Sequence, residues 1–314
     1  MKIRKNGPFD LPATRTEYSG FAHLLANVIR QIKELPDFSD DKKIAVLSDF
    51  GGEHPAAHFN TYSFLFLAYN KVGPFKTRMK AIRQKHNLID PYSEYAYKRL
   101  RSGARSRALP EYLTLIDNFI HGVIVTIAID KGIDTLFGHS KQQAYPALSA
   151  HLAGLGLGQW TGYAAEKMLR TCHIIGAFSA LLTSSNQRLL WYCDNDLIND
   201  ENSGRNFSHT QEIFARVVGL YIAHKFEIVG FGKSFEEKSH LDDLLSVADL
   251  SAGIVQDLLQ SHNTGEDIPG GKEKIALMKW IATPTRFLTK VTGQITFMNN
   301  GTIGSGTVDF TCAR

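Results

Sequence analysis

The feature that most constrains this chain is an apolar run that stops at a carboxylate. Ile44-Ala-Val-Leu-Ser-Asp49-Phe-Gly-Gly-Glu53 reads as a strand ending at Asp49, with the Gly51-Gly52 pair turning the chain. Two more strand-like runs end in acid: residues 123–129 stop at Asp130, and residues 189–193 stop at Asp194 and Asp196. A carboxylate at the end of a buried strand must be compensated. In open α/β sheets, ligand sites collect at the carboxyl ends of strands. Far along the chain, Leu245-Ser-Val-Ala-Asp249-Leu-Ser-Ala-Gly253 reads as a helix carrying one acid among small and apolar residues. A hard divalent cation is one partner that carboxylates from separate segments can share.

The runs between these acids define the class. An amphipathic helix is expected over residues 18–34, with Phe21, Leu24, Leu25, Val28, Ile29 and Ile32 on one side. Residues 62–69 are aromatic and apolar, so they form a second strand and, with residues 44–49, an opening hairpin. Residues 74–121 predict helices, the second starting at Leu109 or Pro110, since Pro suits a first helical position. Residues 123–129 are continuous and β-branched, as in a strand covered on both faces. Helices are expected over 141–185, with Gly154, Gly156 and Gly158 in a loop between them, then over 208–224 with Ser208 as its cap, and over 242–259. A strand is expected at 226–231, a helix near 273–281 and a Thr- and Gly-rich terminal hairpin after that. Strands interleaved with helices after an antiparallel opening predict an α/β protein with a mixed sheet.

The chain's 314 residues allow a large core, and 43% hydrophobic with 21% charged residues is ordinary globular composition. A net charge of +4 makes local clustering more telling than the total. Cys172, Cys193 and Cys312 lack CxxC spacing, as expected of unpaired thiols in a reducing compartment. The start of the chain has no secretory apolar stretch, and no segment approaches the roughly 20 apolar residues that span a bilayer. A soluble, cytoplasmic protein with no membrane partner is expected.

The acid at the first strand end, the hairpin after it, the later strand-end acid and the Ala248-Asp249-Leu-Ser-Ala-Gly253 helix together resemble the RNase-H-like superfamily. Within it, the chain resembles the domain-of-unknown-function family numbered thirty-eight hundred. That family shows Asp-Glu-Ser-Gly where this chain has Asp49-Phe-Gly-Gly, and Leu-Ala-Asp-Leu where this chain has Val247-Ala-Asp249-Leu. The resemblance implies an RNase-H-like domain over 44–260 with a helical insertion at about 135–186, an N-terminal arm and helix over 1–43, and a C-terminal extension over 261–314. It also implies a carboxylate site for Mg²⁺ or Mn²⁺. Asp49 matches the first-strand acid, Asp249 the final-helix acid, and Asp194 the later strand-end acid; Asp196 is the alternative to Asp194, because alternate residues of a strand share a face. Phe50 stands where the family has Glu, which leaves Glu53 as a replacement ligand.

Such a site predicts a metal-dependent phosphodiester hydrolase acting on DNA or RNA, with Asp49, Asp194 and Asp249 catalytic. The structural alternatives are a turn-forming Asp49 before Gly-Gly and a solvated Asp249 beside Asp242 and Asp243. Asp130 reads as an ordinary strand-end acid, and His54 and His58 as polar loop residues. Lys98, Arg99, Arg101, Arg105 and Arg107 form the densest basic run, either a track for a nucleic-acid backbone or a solvated helix face. A second function class is a binding module for nucleic acid or protein that keeps the fold without an active metal site. A third is a scaffold whose Ala-rich middle helices hold a partner protein.

Overall fold

The computed structural model describes residues 4–11, 19–89, 92–101, 103–234 and 237–311. In chain order the elements are β1 (Lys5–Asn6), α1 (Ser19–Arg30), β2 (Leu35–Pro36), β3 (Lys43–Gly51), β4 (Phe59–Ala68), α2 (Gly73–His86), α3 (Gly103–Phe119), β5 (Gly122–Asp130), α4 (Lys141–Gly154), α5 (Gly162–Leu182), β6 (Arg188–Cys193), α6 (Phe207–Gly219), β7 (Ile228–Lys233), α7 (His240–Thr264), α8 (Lys272–Ala282), β8 (Leu288–Phe297) and β9 (Ile303–Thr307). Seven strands form one mixed sheet in the order β7-β6-β3-β4-β5-β8-β9. β4 runs antiparallel to both β3 and β5, whereas β6 is parallel to β3 and β7 to β6. This is the mixed α/β sheet flanked by helices that the sequence predicts.

The sheet is covered on both faces, which is why its strands are continuously apolar. On β3, Ile44 and Val46 enter one core while Ala45 and Leu47 enter the other. The first core is closed by α1, α4, α5 and α6, and the second by α2, α3, α7 and α8. Strand alternation therefore sends Asp49, in step with Ala45 and Leu47, towards α7. The parallel register sets Ser48 beside Cys193, so Asp49 and Asp194 leave neighbouring strands at the same edge.

α7 crosses the middle of the sheet on small residues. The Thr61 hydroxyl donates to the Ala252 carbonyl at 3.0 Å, and the Ser251, Thr126 and Ser63 hydroxyls form a buried chain with links of 2.8 and 2.9 Å. Gly253 lies against the Tyr97 ring, with no room for a side chain.

Several boundaries differ from the sequence expectation. α3 begins at Gly103, so Pro110 lies inside the helix and not at its first position. α6 is capped by the Asn206 side chain in a capping box with His209, not by Ser208. Asp242 and Asp243, beside which a solvated Asp249 is the alternative, are both buried, and Asp242 closes the capping box of α7 with Ser239. Residues 288–307, within the stretch expected as an extension, supply β8 and β9. β8 pairs in parallel with β5, and the expected terminal hairpin joins the main sheet.

Candidate functional site

The loop after β3 opens a cleft of about 420 Å³. Asp49 and Gly52 to His54 line it from the sheet, Asp194 from the end of β6, Glu94 and Lys98-Arg99 from the segment before α3, and Asp242 and Asp249 from α7. Gly52 takes a left-handed φ of 78°, and a Cβ there would strike the Phe59 carbonyl, so the turn beside Asp49 requires glycine. Asp49 and Asp249, roughly two hundred positions apart in the chain, thus face one space.

The cleft is short of positive charge. Among the described residues, Asp49, Asp194 and Asp249 make no ion pair. The Asp49 carboxylate accepts only the Phe50 N–H, at 2.7 Å, and Asp249 accepts the Tyr97 N–H at 2.6 Å. Both are half-buried because they open on the cleft, yet protein surrounds them closely. Desolvation pushes the Asp49 carboxyl well above the usual range; the charges of Asp249, Asp194 and Asp196 add to this, while the Phe50 N–H opposes it. Asp249 is pushed up to about 6, first by desolvation, with Glu94 and Asp194 raising it and the Tyr97 N–H and Lys98 lowering it. These carboxylates share a field that disfavours their simultaneous ionisation without a cation.

Glu53 and Asp196 go elsewhere. Both hold the ammonium of Lys167, a buried residue on α5, with Asp196 at 2.6 Å and Glu53 in direct contact. The same ammonium lies 4.4 Å from the centre of the Phe50 ring. Asp196 does not share a face with Asp194 because the chain has left the strand: Asp196 accepts the Ile198 N–H at 3.1 Å and turns towards α5. Asp196 still contributes charge at Asp49, and Glu53 still lines the cleft.

Among the described residues, no three His, Cys, Asp or Glu side chains are grouped closely enough to hold a metal ion as they stand. What fits Mg²⁺ or Mn²⁺ is the donor chemistry: oxygen-only ligands from Asp49, Asp194 and Asp249, with unbalanced negative charge at Asp49. Asp130 is an ordinary strand-end acid, accepting the Gly132 N–H at 2.8 Å and the Thr296 hydroxyl at 3.0 Å. His54 lines the cleft and His58 is an exposed loop residue.

The structure also divides the basic run. Lys98 and Arg99 line the cleft, and Arg101 lines an adjoining hollow with Lys274. Arg105 and Arg107 ride on α3, where Arg107 lines a separate depression with Lys272 and Glu273. Lys167, Glu94 and Asp242 were not singled out from the sequence. The one available signal for Lys167 is its place in Glu166-Lys167-Met-Leu-Arg170, a charged cluster inside an otherwise apolar helix.

Cys172 and Cys193 are buried and free, and Cys312 lies outside the described residues. Among the described residues, no helix is long and apolar enough to cross a membrane.

No protein-family profile matches the chain, and no curated protein matches it. Among solved structures, it is similar to the ribonuclease H2 from Pyrococcus horikoshii OT3, at 9% identity and a TM-score of 0.35, over 76% of this chain and 85% of that one.

Proposed function

We propose that the protein is a metal-dependent phosphodiester hydrolase acting on nucleic acid, with Asp49, Asp194 and Asp249 as the carboxylates that hold Mg²⁺ or Mn²⁺. The observation that carries this reading is the shared cleft of Asp49 and Asp249, whose carboxyls are both raised first by burial and then by neighbouring acids, Asp249 among those at Asp49 and Glu94 and Asp194 at Asp249, without a paired cation. A bound divalent ion supplies polarisation of the phosphoryl oxygen and an activated water. The chain's own residues do the rest. The Phe50 and Tyr97 amides orient the carboxylates, and Lys98 and Arg99 at the rim meet the phosphate backbone. Lys167 holds Asp196 and Glu53 back from the ion as positioning groups.

The purified chain is expected to cleave DNA, RNA or a hybrid with Mg²⁺ or Mn²⁺, and Asp249→Asn to abolish that cleavage. A folded protein that is inert on all three substrates with both ions refutes the hydrolase. A second reading, a binding module without catalysis, is favoured by Phe50 at the first motif and by the diversion of Glu53 and Asp196 to Lys167. Calorimetric titration with Mn²⁺ separates the two, because the module gives no heat that depends on Asp49.

A further inference from the structure

Across Glu53, which lines both, the acidic cleft adjoins a second hollow of about 300 Å³, where four cations outnumber the three acids Glu53, Asp134 and Glu166. Lys131, Lys141, Lys167 and Arg170 line it, together with Tyr62, Tyr145 and Tyr163. Its cations are unevenly matched. Lys167 is committed to Glu53 and Asp196. Arg170 is buried and pairs with Glu166 through one nitrogen, but its Nη1 reaches the Tyr62 hydroxyl only at 3.5 Å, and its Nε has no acceptor. Lys131 makes no ion pair among the described residues and donates instead to the Gly52 and His54 carbonyls, at 2.9 and 2.7 Å. Lys141 meets Asp134 at 3.8 Å, with both side chains about half exposed, an arrangement that binds weakly.

We propose that this hollow is a subsite for the phosphate of a nucleotide, with the tyrosines forming a wall for the base. The assignment rests on the hydrolase reading only for the identity of the ligand. The Arg170 Nε has no acceptor and Nη1 only a long one, Lys131 has no ion pair among the described residues, and Lys141 is held by Asp134 only at 3.8 Å, so a phosphate meets donors that the hollow's own acids do not fill. Tyr163 is 44% exposed at the mouth, so a base stacked on its ring is shielded from water on that side. Because Lys131 also grips the carbonyls on either side of Glu53, an anion bound there acts on the loop that lines the acidic cleft. The phosphate has two sources: a neighbouring position on a strand lying in the cleft, or a free nucleotide.

The test is isothermal titration of the full chain in EDTA with inorganic phosphate, adenosine 5′-monophosphate and a short single-stranded oligonucleotide. One site per chain is expected, weakened about tenfold by Lys141→Glu and about threefold by Tyr163→Ala, and unchanged by Asp49→Asn. Both weakening substitutions are at exposed positions, and thermal melts verify that the variants fold. Monophosphate binding as tight as the oligonucleotide's assigns a free nucleotide, while heat from the oligonucleotide alone assigns a strand phosphate. No heat from any of the three, or heat indifferent to both Lys141→Glu and Tyr163→Ala, overturns the subsite. The measurement needs neither metal nor cleavage. A chain inert as a nuclease can still show the site, and an active one can still lack it.

Discussion

Helix α7 carries two aspartates less than two turns apart that meet opposite fates. Asp243 accepts the Arg83 Nε–H at 2.9 Å and the Tyr92 hydroxyl at 2.5 Å, and the Arg83 guanidinium also lies 3.7 Å from the Tyr92 ring centre. Arg83 is itself satisfied by the Leu88 and Ser93 carbonyls, at 2.8 and 2.9 Å. Burial pushes the Asp243 carboxyl up, and Arg83 pulls it back. Asp249 has one amide and no ion pair among the described residues, and it looks across the cleft at Asp49, another acid. Both carboxylates are largely enclosed, so enclosure does not separate structure from function; the presence of a built-in counter-charge does. Asp243 is a finished ion pair that fastens α2 to α7. Asp249 has no such partner among the described residues, and on the proposed function a divalent ion would complete it.

The largest effect should come from breaking the finished pair. Arg83→Met leaves Asp243 buried and alone, and urea denaturation should show a loss of roughly 3–5 kcal/mol. A loss under about 1 kcal/mol would mean that Asp243 is no better compensated than Asp249, and the contrast would fail. Next is Asp49→Asn, for which steady-state cleavage rates should fall at least about 100-fold, equivalent to about 2.7 kcal/mol of transition-state stabilisation, while the fold survives. An Asp49→Asn protein that still cleaves at the parental rate removes the cleft from the chemistry.

Completing the unfinished pair is the third test. Mn²⁺ at about 100 times its Kd should stabilise the parent by about 2.7 kcal/mol and Asp249→Asn by much less, seen as a difference in melting-temperature shift. Equal shifts in the two proteins would put the ion elsewhere. The smallest effect is in pH dependence without metal. The Asp249 carboxyl is raised from 3.8 to about 6, so the folded state holds its proton more tightly than the unfolded chain. That contribution is present below the unfolded value and is lost as pH rises through about 6. In EDTA, Asp249→Asn should therefore be more stable than the parent by roughly 1–2 kcal/mol near pH 8, with the gain fading towards about pH 4. A parent as stable as Asp249→Asn across that window would show that Asp249 carries no uncompensated charge.

How far the sequence could be read follows the range of the interactions. The central strands were legible because both faces are covered, so their apolar runs are unbroken. Asp49, Asp194 and Asp249 stood out because each interrupts or ends an apolar stretch whose period fixes its direction. Asp196 was misjudged because strand alternation was carried past Cys193, where the backbone already turns. Lys167 was missed because a lysine on a helix ordinarily reaches solvent, and only the tertiary approach of the Glu53 and Asp196 loops buries it. The place of β8 was hidden for a similar reason: its parallel pairing with β5 joins segments far apart in the chain and leaves no local trace. Gly103 already interrupts the basic run in the sequence, and the run is split there, where the chain passes from the Tyr97–Arg99 turn into α3.

The Tyr97 segment is moored to α7 at three points: its amide to Asp249, its ring over Gly253, and its hydroxyl to Asp257 at 2.6 Å. The next two residues are the cations Lys98 and Arg99 at the cleft rim. Whatever draws the Asp249 carboxylate towards the middle of the cleft also pulls on the peptide that carries those two cations. On the function proposed above, grip on an anionic strand and neutralisation of the acids would therefore be geared together through the Tyr97 segment.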